Sequence, residues 1–142
     1  MKPSPEIFIL VLLLAVLFTL SYAYRNPGVC MIDPMLEKLR QDLIKVDPRL
    51  GKLQYFPGNE SYTEDKEKIF ICMKDEQGNY YPYNALLQVA LHEAAHALCP
   101  IVDTEHKTPE FNNLHNALRK KASALGLVDL TKNVPLGYCP KH

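Results

Sequence analysis

The sequence has no excess of either charge. Sixteen Lys and Arg face sixteen Asp and Glu over 142 residues, and taking away residues 1–23 removes one of each, Lys2 and Glu6. A nucleic-acid-binding chain shows a basic excess or stripe; none is present, so no nucleic-acid partner is expected. No C-x-x-C pair occurs, which removes the commonest cysteine pattern for holding a metal. Internal repeats and low-complexity segments are also lacking. What remains is an ordinary globular balance, 47% hydrophobic and 23% charged, in a length suited to one modest domain.

One long apolar run stands apart. Residues 7–20 (IFILVLLLAVLFTL) hold one hydroxyl and no charge, follow Lys2, and precede Ser21-Tyr22-Ala23 with small residues placed for cleavage after Ala23. Counted to residue 24, the run is about eighteen residues, the lower limit for crossing a bilayer. Residues 1–23 are therefore read as a signal-anchor or a cleaved signal peptide, residues 24–32 as a linker, and residues 33–142 as the folded domain. The anchor is the favoured reading and puts the domain on the extracytosolic side; the alternative is secretion after cleavage near Ala23. The four cysteines (Cys30, Cys72, Cys99, Cys139) fit that address, an even number in a small exported domain predicting two disulfides. Asn59-Glu60-Ser61 is a glycosylation sequon beside a Pro57-Gly58 turn.

The domain reads as α+β, a short sheet with helices. Asp33 as N-cap, Pro34 at N1 and the stripe Leu36, Leu39, Leu43 predict a helix over 34–46, ended by Asp47-Pro48. A strand is expected over 50–56, closed by Pro57-Gly58, then polar loop over 60–68. The β-branched and aromatic run 69–73 predicts a second strand, and Asp75 to Gly78 a turn. Thr108 as N-cap, Pro109 at N1 and Gly126 as terminator bound a last helix; the tail from 127 is irregular, with Cys139 placed to pin it.

The chemistry sits in residues 84–100, NALLQVALHEAAHALCP. Asn84 is the expected N-cap and Pro100 the stop of an apolar, buried helix. His92 and His96, four apart, share one face and offer two corners of a tetrahedral Zn²⁺ site. Glu93 flanks that site, where a carboxylate takes a proton from a zinc-bound water. A catalytic zinc needs a third protein ligand. His106, in the loop after the helix, is preferred over Asp103 and Glu105; His142 also lies downstream, and His115 reads as a packing or surface residue.

Phe70-Ile71-Cys72-Met73, a turn, HEAAH, then His106 and Pro109-Glu110-Phe111 resemble the minimal protease domain of the WLM and SprT-like zinc metalloproteases. The resemblance covers about residues 33–127. It implies a zincin-like fold with the sheet packed on the metal helix, His92, His96 and His106 as ligands, Glu93 as general base and Phe111 as a packing residue. It also implies that strand 69–73 forms the cleft edge that binds peptide by strand addition. Two spacings depart from the pattern: nine residues between His96 and His106, and four between His106 and Phe111, are each longer than usual. The function expected is zinc-dependent hydrolysis of peptide bonds in a protein or peptide substrate. The alternative is a catalytically inactive, zinc-stabilised peptide-binding module.

Overall fold

The computed structural model describes residues 4–25 and 33–139. Of the linker expected at 24–32, residues 24 and 25 belong to the N-terminal helix, and residues 26–32, Cys30 among them, lie outside the described residues, as does His142. The chain divides into two compact units, residues 1–32 and 33–142. In the first, helix α1 (Pro5–Arg25) holds an 18-residue stretch, Pro5–Tyr22, of mean hydropathy 2.2 with none of it buried. At 1.5 Å per residue a helix of this length reaches about 30 Å, the thickness of a bilayer's hydrocarbon core. The same properties describe a signal sequence.

The second unit is a small α+β domain. Helix α2 (Pro34–Val46) begins where expected, because the Asp33 carboxylate accepts from the amides of Met35 (2.9 Å) and Leu36 (3.3 Å). It ends at Asp47, held extended by Pro48. A 3₁₀ turn (Pro48–Lys52) takes up the start of the apolar segment expected to be a strand. Strand β1 is shifted to Gln54–Gly58, and includes the Pro57-Gly58 pair expected to close it. Parallel pairing with β3 (Lys68–Cys72) explains the shift, since β1 follows its partner's register from Gln54↔Lys68 to Gly58↔Cys72.

The polar stretch 60–68 contains strand β2 (Tyr62–Glu64), antiparallel to β3. The sheet order β1-β3-β2 corrects one expectation. Strand β3 is paired on both sides and presents no edge for strand addition; the edges are β1 and β2, and β2 is the one that lines the histidine cleft. The row Tyr55, Ile69, Thr63 faces the helices, and the row Phe56, Phe70, Tyr62 forms an aromatic ladder on the other face, with ring centroids 5.1 and 4.5 Å apart.

Helix α3 (Tyr83–Leu98) packs against α2, α4, β2 and β3. Leu86, Leu87, Ala90, Leu91 and Ala94 bury its apolar side. The position before it is Pro82, with no side-chain cap. Asn84 is not the N-cap: its amide pairs with the backbone of Asp129, accepting from N (2.7 Å) and donating to O (3.0 Å), and so ties the tail to α3. Helix α4 (Pro109–Ala124) is capped by Thr108 and ends as the sequence indicates. Gly126 takes φ +70°, and the amides of Gly126 and Leu127 turn back to Ser123 and Ala122.

Cys72 and Cys139 form a disulfide with Cα atoms 6.2 Å apart, pinning the tail to the end of β3. Among the described residues this is the one bridge, and Cys99 is buried and free; Cys30, the remaining cysteine of the two bridges expected, lies outside them. Cys99 lies at the C-cap of α3, enclosed in the core.

Candidate metal centre

The i, i+4 spacing on α3 aims His92 and His96 together, and the loop after Cys99 brings His106 onto them. The three Nε2 atoms form a triangle with edges of 3.2 Å (His92–His96), 3.2 Å (His92–His106) and 2.9 Å (His96–His106). Three imidazole nitrogens this close together have only as many ring protons to share as their tautomers allow, and a shared cation is what a set of neutral imidazole lone pairs can bind in common. A tetrahedral Zn²⁺ with Zn–N of about 2.0–2.1 Å sets its ligand nitrogens about 3.3 Å apart. The donor set fits such an ion, and the three residues could hold it together.

The surroundings favour the neutral, ligating imidazole. Burial, followed by the nearby His115, His96 and His106, lowers the pKa of His92 to about 4. Burial and the proximity of His106 also lower that of His96. Phe111, buried beneath the cluster, stacks on the His96 ring at 4.4 Å and touches His92 and His106 edge-on or tilted. His115 packs edge-to-face against His92 with centroids 5.1 Å apart, as a packing residue does.

Two devices hold the third histidine. Asp103, buried, accepts from the Thr108 hydroxyl (2.6 Å) and amide (2.8 Å) and from the Lys107 amide (3.3 Å). Those donors hold its carboxyl down at about 2, so Asp103 braces the loop and is not one of the cluster. Glu105 is exposed and pairs with Lys107. His106 itself adopts φ +57°, and its carbonyl accepts from Asn112 Nδ2 at 3.0 Å. The left-handed turn, fastened on both sides, lets a ligand separated from His96 by nine residues reach back to the helix.

Glu93 is only 7% exposed and lies in the same cleft, a cavity of about 940 Å³. Burial raises its pKa, opposed by a hydrogen bond from Thr63. The Thr63 hydroxyl lies 2.9 Å from Glu93 Oε2 and 2.8 Å from the Glu93 carbonyl, so β2 fixes the carboxylate. Lys66, in the turn that follows β2, reaches the end of α3, donating to the carbonyls of His96 (3.3 Å), Ile101 (3.0 Å) and Cys99. That ammonium closes the helix C-terminus, where a positive charge is favourable. Neither Thr63 nor Lys66 stood out in the sequence, since both lie in a run of polar residues. The only signal there was Tyr62, one aromatic residue in an otherwise polar stretch.

Three histidines and a buried carboxylate in one cleft of a small α+β domain define what this molecule offers chemically. Over 94 residues it is 40% identical to uncharacterized protein 136R of Invertebrate iridescent virus 6, covering 64% of this chain and 51% of that protein. Over 90 residues it is 39% identical to uncharacterized protein 042R of Invertebrate iridescent virus 3, covering 63% and 55%. The chain spans about half the length of the curated relatives it matches. No family model matches, and no solved structure does.

Proposed function

We propose that residues 33–142 are a zincin-like metallopeptidase domain, with His92, His96 and His106 as zinc ligands and Glu93 as the catalytic base. The observation that carries this reading is the convergence of three Nε2 atoms, 2.9–3.2 Å apart, in a cleft shared with a buried glutamate. Bound there, zinc supplies a Lewis acid that polarises a carbonyl and makes water more acidic. The protein's own residues do the rest. Glu93, its carboxyl raised by burial, takes the proton of the attacking water and returns it to the departing amine. Thr63 keeps the carboxylate aimed, and β2, the sheet edge beside the cleft, offers its backbone to an extended peptide. Ile101 and Val102 form an apolar lip opposite, Val102 being 81% exposed.

On this reading α1 is a single-pass anchor and the domain lies outside the cytosol, in keeping with its length, its hydropathy and the Cys72–Cys139 bridge. The test is zinc-loaded protein on a broad peptide library, with Glu93→Gln beside wild type. Gln keeps the size and most of the hydrogen bonding but not the basicity. A loss of roughly 10²–10⁴-fold with zinc retained is expected. His106→Ala is expected to lose metal as well as activity. A Glu93→Gln protein as active as wild type would remove Glu93 from the chemistry. Zinc-loaded wild type that binds peptides but cleaves none would leave the peptide-binding module.

A further inference from the structure

The sequon at Asn59 is not used by the peptidase reading, and its place in the fold says what it does. Asn59 sits in the short connection from β1 to β2 and is exposed; its carbonyl lies 2.8 Å from Cys139 Sγ, while its side-chain amide makes no hydrogen bond among the described residues. Glu60 beside it is exposed as well. The third position, Ser61, is half-buried and committed: its Oγ accepts from the Cys72 amide (2.9 Å) and meets the Tyr138 hydroxyl (2.9 Å). The tip of the turn thus presents the asparagine outward while the serine anchors the segment. Asn59 does not line the histidine cleft, so a large group there leaves that cleft open.

We propose that Asn59 is a site of N-linked glycosylation, which rests on the reading that the domain is translocated across a membrane. In the reaction the Asn59 amide nitrogen attacks the anomeric carbon of a lipid-pyrophosphate oligosaccharide. A C–N bond forms, the C–O bond to the pyrophosphate breaks, the lipid pyrophosphate leaves, and the amide gives up one proton. The donor and transferase are those of the lumenal membrane in the cell that expresses the chain. Timing favours the modification. Asn59 lies 80 residues ahead of Cys139 (139 minus 59), so at about 5–20 residues per second it emerges roughly 4–16 s before the tail can lock Ser61. Occupancy is therefore independent of Cys139.

The experiment expresses the full chain in insect cells and treats it with peptide N-glycosidase. Wild type is expected to show one glycosidase-sensitive shift, absent in Asn59→Gln and unchanged in Cys139→Ser. A control in the Asn59→Gln background, Gln77→Asn with Asn79→Thr, builds a sequon in the exposed turn before Tyr80 and reports on topology alone. If the control is modified and wild type is not, the Asn59 site is overturned while the extracytosolic placement stands. If neither is modified, the placement fails and takes the site with it.

Discussion

On the metallopeptidase reading the buried Glu93 carboxylate has to be aimed, and among the described residues the side chain that hydrogen-bonds it is that of Thr63. Its hydroxyl reaches Glu93 Oε2 at 2.9 Å, whereas the three ring nitrogens are positioned by other residues. Thr63→Val keeps the branched shape and removes the donor. The expected result is a drop in kcat/KM of roughly five- to tenfold, the worth of about one hydrogen bond of 1–1.5 kcal/mol, with zinc affinity unchanged and activity rescued by Thr63→Ser. Equal loss of zinc in the Val variant would mean that Thr63 supports the fold and not the carboxylate. At this scale the histidine cluster was legible, because a four-residue spacing on an apolar helix and one histidine in the next loop suffice to suggest it. Thr63 was not. Its position depends on a three-residue strand paired across the sheet, and nothing local to Tyr62–Glu64 announces such a strand.

Among the elements, α2 and α3 are joined by one buried charge. Asp42, 4% exposed, would be raised by burial, but hydrogen bonds from Lys45, Tyr83 and Lys38 outweigh this and bring its carboxyl to about 2, from 3.8. A depressed carboxyl stabilises the fold fully above its unfolded value near 3.8, and that contribution disappears as pH falls through about 2. Two of the partners are exposed lysines, so the contribution is about 1–2 kcal/mol rather than the full shift. Asn at this position is expected to lower stability by that amount at neutral pH. The gap between the two proteins should close between pH 4 and pH 2 in urea melts; a gap that persisted at pH 2 would assign the effect to packing.

The tail is joined differently. Cys139 bonds Cys72, the Cys139 amide donates to Tyr81 Oη at 2.9 Å, and the Tyr138 hydroxyl donates to the Cys72 carbonyl at 2.7 Å. Bridging a sequence separation of 67 residues, the disulfide contributes roughly 2–4 kcal/mol, so Cys139→Ser should lower the urea midpoint under non-reducing conditions. An unchanged midpoint would show that Tyr81 and Tyr138 hold the tail unaided. Helices α2 and α4 could be read from the sequence to the residue, since Asp33-Pro34 and Thr108-Pro109 are complete start signals. The sheet could not. Long-range pairing, absent from local pattern, drew β1 two residues past its apolar segment and put β3 in the centre.

For the whole molecule, the question is what a fully exposed apolar helix is doing in a chain that also carries a folded domain. All eighteen residues of Pro5–Tyr22 lie outside any core, an exposure that water penalises by about 25 cal/mol per Å² of apolar surface. A bilayer or a translocation channel would remove that penalty, and the helix is long and apolar enough to be a membrane span or a signal sequence. What distinguishes anchor from leader is whether the chain is cut after Ala23. Helix α1 runs on through Ala23 to Arg25, leaving no extended segment at that bond. Signal cleavage requires the cut site to be presented in extended form, and a continuous helix disfavours it. The full chain expressed in insect cells is therefore expected to stay in the membrane pellet after alkaline carbonate extraction, at its uncut mass apart from any glycan. A soluble product beginning at Tyr24 would identify a leader instead, and would leave the domain free rather than tethered at a surface.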